Sequence, residues 1–126
     1  MTGIELVADS VAMAGKNAAL NGVRNCRFVQ GEVRDFFRSR PGEAASARVA
    51  VVDPPRAGLH EDVVRSLREL RPPRIVYVSC NPATLARDAA LLAQDGLYTL
   101  RRIQPLDMFP HTYHVECVAL LERSVP

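Results

Sequence analysis

The sequence has few cysteines, little net charge and no long apolar run, and each shortage excludes a class of protein. Its three cysteines are far apart and form no Cys-x-x-Cys pair, so neither a disulfide framework nor a zinc site is predicted. No apolar stretch approaches the roughly 20 residues that a membrane-spanning helix needs. The first residues include no basic leader followed by an apolar block, so a secretory signal is not predicted and a cytoplasmic location is expected.

The charge is nearly balanced, with 16 basic and 14 acidic residues, and the net charge of +2 does not by itself indicate nucleic-acid binding. Fifteen of the basic residues are arginine and one is lysine. This bias fits recognition of phosphate by guanidinium groups, and it fits equally a genome rich in arginine codons. The length of 126 residues and the 48% hydrophobic content predict one globular domain over residues 1–126.

Short β-branched apolar runs alternate with segments of helical periodicity, a pattern typical of an α/β protein with a mainly parallel sheet. Strands are predicted over residues 4–7, 26–29, 48–52, 74–78, 98–103 and 115–121. The strand at 48–52 is expected to be fully buried. Helices are predicted after N-caps at 9–10 and at Thr84, over 33–37 and over 61–70, with a polar loop over 39–46. The last two strands follow one another without a helix, which favours an antiparallel pair at one edge of the sheet.

Four polar residues stand at or just after the carboxyl ends of the first four strands: Glu5, Glu32, Asp53 and Cys80. Ligands of open parallel sheets bind at this edge, so their convergence predicts a binding site. Each carboxylate also has a structural explanation. Glu5 fits an exposed edge, Glu32 fits a helix cap, and Asp53 fits a side chain that bonds the amides of its own Pro-Pro turn.

Cys80 has two interpretations. A free cysteine is most often a small core residue. Its place between a buried strand and a helix N-terminus favours the second interpretation, a nucleophile, because backbone amides and the helix dipole stabilise the thiolate.

Glu116 shares a face of its predicted strand with Val118 and Leu120. A carboxylate among apolar neighbours is costly to bury unless it has a purpose, and partial desolvation suits a general base. The other interpretation is that Glu116 begins the strand and reaches solvent. His111 and His114 lie nearby, but no third ligand accompanies them, so a metal site is not predicted and they are treated as loop residues that line a pocket.

Five segments of the chain resemble the SAM-dependent RNA (uracil-5-)-methyltransferases, which make 5-methyluridine in ribosomal and transfer RNA. The resemblance runs nearly end to end, and the Ser-Cys-Asn-Pro block followed by His-x-Glu is its most specific part. The segments are residues 3–5 (GIE), 17–22 (NAALNG), 53–59 (DPPRAGL), 77–88 (YVSCNPATLARD) and 107–116 (DMFPHTYHVE).

The resemblance implies a role for each candidate residue. Glu5 corresponds to the acid that holds the ribose of S-adenosyl-L-methionine (SAM), Glu32 to a further SAM contact, and Asp53 to the aspartate beside the SAM methionine and the target base. Cys80 corresponds to the nucleophile that adds to C6 of uracil. Glu116 corresponds to the base that removes the C5 proton. The implied substrate is therefore a uridine in RNA.

The resemblance also implies a Rossmann-like SAM-dependent methyltransferase fold that lacks its first strand and glycine-rich loop, so residues 1–126 would be part of a catalytic domain. The interrupted sheet predicts self-association through an exposed strand edge. Two other hypotheses stay open. One is an amino-methyltransferase that uses the Asp53-Pro54-Pro55-Arg56 turn, and the other is a non-catalytic remnant that does not bind SAM.

Overall fold

A computed structural model describes residues 1–124 of the chain. The chain divides into two compact units, unit 1 over Met1–Pro41 and unit 2 from Gly42 onward. No helix within residues 1–124 is both long and apolar enough to cross a bilayer.

Unit 1 is a two-stranded parallel sheet with two helices. Its elements are β1 (Thr2–Glu5), α1 (Ala8–Leu20), β2 (Arg27–Gln30) and α2 (Val33–Ser39). The register runs from Thr2 opposite Arg27 to Glu5 opposite Gln30. Val11, Ala14 and Ala18, the predicted inner face of α1, are half-buried.

Unit 2 holds the larger sheet, whose strands lie in the order β3, β4, β6, β5. The strands β3 and β4 are parallel, and β6 is antiparallel to both of its neighbours. This arrangement confirms the α/β class and the antiparallel pair at one edge. Its elements, after a short α3 (Pro41–Ala45), are β3 (Val49–Val52), α4 (Glu61–Leu70), β4 (Arg74–Ser79), α5 (Pro82–Ala93), a 3-10 turn (Gln94–Gly96), β5 (Tyr98–Leu106) and β6 (Glu116–Arg123).

The core of unit 2 lies where α5 contacts β4, β5, β6 and α4. The predicted inner residues of α5 are all buried, and they face the alternate side chains of the central strands. These core residues are Leu85, Ala89 and Leu92 on α5, with Ile75, Tyr77, Ala119 and Leu121 on the strands. Burial raises the pKa of Tyr98 to about 12, and its hydroxyl donates to the carbonyl oxygen of Pro72 at 2.9 Å.

The prediction that β3 is fully buried is wrong. The side chains of Val49 and Val51 are 45% and 68% exposed. The strand pairs only with β4, and its side chains alternate between two faces, of which the Val49–Val51 face is open. A run of apolar β-branched residues does not distinguish a central strand from an edge strand, which explains the error.

Three predicted boundaries also differ from the structure. α1 begins at Ala8 after Val7, which has no side-chain cap, so Asp9 and Ser10 lie inside the helix and do not cap it. α5 begins at Pro82, where Asn81 rather than Thr84 supplies the cap by accepting the Ala83 N–H at 3.1 Å. The predicted polar loop over residues 39–46 contains the short helix α3. Strand ends differ from the prediction by at most three residues, and those at Val52, Arg74 and Tyr98 coincide with it.

Candidate active site

Cys80 lies in the two-residue connection between β4 and α5, and hydrogen bonds fix the backbone on both sides of it. The buried Ser79 hydroxyl donates to the carbonyl oxygen of Asn81 at 2.9 Å and accepts the Asn81 N–H at 3.0 Å. The Asn81 side chain caps α5. Cys80 itself is a free, partly buried thiol, so this connection presents a sulfur atom at a defined position.

The pairing of β4 with β6 runs to the residues that adjoin Cys80 and Glu116. The last pair of this antiparallel ladder is Ser79 opposite Cys117. Cys80 is the next residue after β4, and Glu116 is the residue of β6 that precedes Cys117. Two residues that are 36 positions apart in the sequence therefore each adjoin the last pair of this ladder.

Glu116 is the first residue of β6 and is half-buried. It alternates with the buried Cys117 and shares its face with the half-buried Val118 and Leu120. The predicted face is therefore correct, and so is the alternative that Glu116 begins the strand. The carboxylate combines apolar neighbours with access to solvent, a setting that suits an exchangeable proton.

Asp53 directly follows β3 at the same carboxyl edge of the sheet as Cys80. Its side chain is exposed and makes no hydrogen bond or ion pair within residues 1–124, so it does not bond the amides of its own turn. Three residues later, Arg56 Nη1 donates to His114 Nδ1 at 2.9 Å. His114 stands two residues before Glu116, so this bond joins the segment after β3 to the approach to β6.

The segment after β3 is packed tightly against α5 at Gly58. Gly58 has a φ of +83°, and a Cβ atom there would lie 2.5 Å from Arg87 Nη2 and 2.6 Å from Asp88 Oδ2. The Arg56 carbonyl oxygen accepts bonds from Asn81 Nδ2 at 3.1 Å and Thr84 Oγ1 at 3.3 Å. A side chain at position 58 would separate these surfaces.

In unit 1, Glu5 and Glu32 lie at the carboxyl ends of the paired strands β1 and β2. Glu5 is exposed and accepts the Val7 N–H. Glu32 occupies the N-cap position of α2, but its carboxylate contacts Arg34 Nε at 2.5 Å and caps no backbone N–H. The structure thus places two predicted residues at one edge in each unit, and the convergence of all four stays a prediction.

Sequence reasoning missed Asp88, and it named Arg56 only as part of the turn in the amino-methyltransferase hypothesis. Asp88 is fully buried on α5, between the core positions Leu85 and Leu92. A carboxylate within the apolar stripe of a helix is a visible signal, because burying a charge requires dedicated partners. Arg56 carried no such signal, since an arginine after a turn is ordinarily a solvated residue. Within residues 1–124, no three histidine, cysteine or acidic side chains are grouped to hold a metal ion.

Comparison with solved structures defines the class of fold. The chain superposes on the Pyrococcus abyssi tRNA (uracil-54, C5)-methyltransferase, solved with S-adenosyl-L-homocysteine, with a TM-score of 0.79 and 41% identity over 95% of this chain and 28% of that one. It also superposes on TrmN from Thermus thermophilus with a TM-score of 0.68 and 22% identity, over 98% of this chain and 36% of that one, a likeness of fold alone. The fold is that of the SAM-dependent methyltransferases.

Within that class, the chain belongs to the tRNA (uracil-5-)-methyltransferase family, which it matches over residues 2–124. It is 50% identical over 121 residues to an uncharacterized RNA methyltransferase of Caldanaerobacter subterraneus, and 51% identical over 125 residues to one of Nitratidesulfovibrio vulgaris. These matches cover 96% and 97% of this chain but 26% of each relative. The chain therefore spans about a quarter of the length of these relatives.

Gly58→Ala is expected to destabilise the protein. The substitution forces an L side chain into left-handed backbone, at a cost of about 1–2 kcal/mol, and pushes Arg87 and Asp88 out of their hydrogen bonds. Each buried bond left unmade costs about 1–3 kcal/mol more. Urea unfolding of both proteins measures the difference in the free energy of unfolding.

Gly96→Ala is the matched control, because Gly96 has a φ of +69° and open space around its missing Cβ. Gly96→Ala therefore incurs only the cost of placing an L side chain in left-handed backbone. Equal losses of stability in Gly58→Ala and Gly96→Ala would contradict the importance of the packing of Gly58 against α5.

Proposed function

We propose that residues 1–126 are part of a catalytic domain that transfers a methyl group from SAM to C5 of a uridine in RNA, through a covalent bond between Cys80 and C6. The observation that carries the proposal is the β4–β6 register, whose last pair, Ser79 opposite Cys117, directly adjoins Cys80 and Glu116. Membership of the uracil-5 family supports the same chemistry. A ribosomal or a transfer RNA is the substrate.

The Cys80 thiolate has a defined task in this reaction. C5 of uracil is a weak nucleophile until a thiolate adds at C6, which moves the C5–C6 electron pair toward O4 as an enolate. The enolate then attacks through C5. When bound, SAM would supply the methyl group that C5 takes up, and the broken S–CH3 bond would leave its electron pair on sulfur as S-adenosyl-L-homocysteine. The hydrogen-bonded backbone of Ser79 and Asn81 holds the sulfur where one face of the ring can reach it.

Glu116 completes the reaction. After methylation C5 carries both the new methyl group and its original proton. The Glu116 carboxylate takes this proton, the C5–C6 double bond forms again, and the electron pair of the S–C6 bond returns to Cys80 as thiolate. The target uridine must leave its stack to present C5 and C6, as is usual for enzymes that modify bases.

The acidic residues at the carboxyl ends of the strands suit SAM. Asp53 offers a carboxylate without a protein partner within residues 1–124, which fits an ammonium group such as that of the SAM methionine. Glu5 is exposed and offers a second oxygen besides the one that accepts from Val7, which fits a ribose hydroxyl. Glu32 is proposed as a further SAM contact, although its ion pair with Arg34 must then be shared or exchanged.

Cys80→Ala is expected to abolish a covalent adduct that the wild-type protein forms with SAM and RNA containing 5-fluorouridine. Fluorine at C5 cannot leave as a proton, so the Cys80–C6 bond persists. A denaturing gel and intact-mass analysis detect it. The assay is run on the 126-residue chain and on the protein at its full natural length.

Cys26→Ala is the matched control, since Cys26 is also free and partly buried, and it should form the adduct normally. Methylation that survives Cys80→Ala would favour an amino-methyltransferase. Absence of SAM binding by the 126-residue chain in calorimetry, with normal binding by a version extended upstream, would favour the non-catalytic remnant.

Glu116→Gln is expected to stay covalently attached to RNA that contains uridine rather than 5-fluorouridine. An amide cannot take the C5 proton, so the methylated uridine remains attached to Cys80, and turnover falls roughly 10²- to 10⁴-fold. A gel shift that requires both SAM and RNA reports the trapped species. Glu122→Gln is the control on the same strand, because that carboxylate contacts Arg74 and Arg101, both at 3.3 Å. Normal turnover by Glu116→Gln would contradict its role as the base.

We also propose that the 126-residue chain self-associates through β3. This edge strand has only valine and alanine, two of them exposed, and no charge or proline that would discourage pairing. The opposite edge strand, β5, is protected by Arg101, Arg102 and Pro105 and by a register irregularity.

Sedimentation velocity should therefore show association that grows with concentration and that Val51→Lys reduces. Ile103→Lys is the control on β5, where the side chain is also exposed, and it should leave the association unchanged. A wild-type chain that stays monomeric at all concentrations would refute self-association.

A further inference from the structure

The buried carboxylate of Asp88 takes no part in the chemistry proposed above. Hydrogen bonds from its neighbours occupy all of its acceptor positions. Oδ2 accepts the Tyr77 hydroxyl at 2.6 Å and the Leu59 N–H at 2.7 Å. Oδ1 accepts Arg87 Nε at 2.8 Å and also contacts Arg87 Nη2 at 2.7 Å. The side chain of Asp88 has no exposure to solvent.

A buried charge of this kind is weak evidence for stability, because a well-packed apolar side chain often serves a core as well. The identity of the partners is more informative. Leu59 belongs to the segment of residues 53–59, which we call the β3–α4 segment. Arg87 reaches the same segment, since its Nη2 donates to the Ala57 carbonyl oxygen at 2.9 Å. Asp88 thus acts on this segment directly and through Arg87.

The rest of α5 holds the same segment. Asn81 and Thr84 both donate to the Arg56 carbonyl oxygen, and Gly58 permits the close approach. Three backbone groups of the β3–α4 segment, at Arg56, Ala57 and Leu59, are therefore bonded to α5 or to its cap, Asn81, and α5 begins two residues after Cys80. The β3–α4 segment and the proposed nucleophile Cys80 are therefore both anchored to α5.

We propose that Asp88 is a positioning residue that fixes the β3–α4 segment, and with it Asp53 and Arg56, relative to Cys80. The inference rests on the proposed function. Asp53 is exposed and its side chain has no protein partner within residues 1–124, and Arg56 bridges to His114 beside the start of β6. Because reacting groups must be held within a fraction of an ångström, release of the segment lowers the rate without removing any reacting atom.

The test compares Asp88→Asn, Arg87→Lys and Tyr77→Phe in the protein at its full natural length. Asparagine has one oxygen and one NH2 group. In either orientation its NH2 group therefore faces other donors, either those of Arg87 or those of Tyr77 and Leu59. Lysine keeps the positive charge but lacks the fork that reaches Asp88 and Ala57 together. Tyr77→Phe removes a donor from Asp88 and leaves its bonds to Leu59 and Arg87 in place.

The measurement is the rate of adduct formation on 5-fluorouridine RNA at saturating RNA and SAM, below the melting temperature of every variant. Asp88→Asn is expected to lower this rate roughly 10- to 100-fold, and Arg87→Lys to lower it less. The half-saturating RNA concentration should change less than the rate does. Tyr77→Phe should keep the wild-type rate even where its melting temperature falls.

The outcomes separate the inference from the function on which it rests. A wild-type protein that forms no adduct refutes the proposed function and the inference with it. An active wild type with wild-type saturating rates in both Asp88→Asn and Arg87→Lys refutes the inference alone. It is also refuted if Tyr77→Phe loses rate as Asp88→Asn does, because the loss then follows the stability of the core.

Discussion

The antiparallel pairing of β6 with β4 is the constraint on which the candidate site depends. β6 lies between β4 and β5, so it forms the centre of the unit 2 sheet and supplies the buried Cys117, Ala119 and Leu121 to the core. Because side chains alternate along a strand, packing those three inward fixes which face Glu116 occupies. A slip of one residue would turn Glu116 into the core and away from Cys80. The same packing that stabilises the sheet therefore sets the geometry of the two proposed catalytic groups.

A second level of organisation lies in α5. Its first turn is capped by Asn81, whose side chain also reaches the Arg56 carbonyl oxygen, and its second turn carries Arg87 and Asp88. The polar side chains of this helix face the β3–α4 segment, while Leu85, Ala89 and Leu92 pack in the core. One side of α5 therefore packs in the core, and the other side holds the β3–α4 segment in place.

The sequence predicted the structure correctly where a local pattern of residues is compatible with only one buried face. The inner faces of α1 and α5 follow from helical periodicity, and the alternation around Glu116 follows from strand periodicity. The exposure of Val49 and Val51 could not be predicted, because the neighbours of a strand depend on contacts that are distant in sequence. The bond between Arg56 and His114 is of the same kind, since the two residues are 58 positions apart. Helix starts were mistaken where more than one residue could supply the cap, as at α5, where Asn81 rather than Thr84 does so, or where none does, as at α1.

Unit 1 has a very small hydrophobic core, because Phe36 is the only buried side chain among residues 1–41. Regions with few buried apolar contacts open locally at a lower free energy than a well-packed core. If Glu5 and Glu32 hold SAM, they do so from such a region, and the ligand then selects the closed form because it binds only to that form. In that case part of the binding free energy would stabilise β1 and β2, and the measured affinity for the cofactor would depend on how stably unit 1 folds.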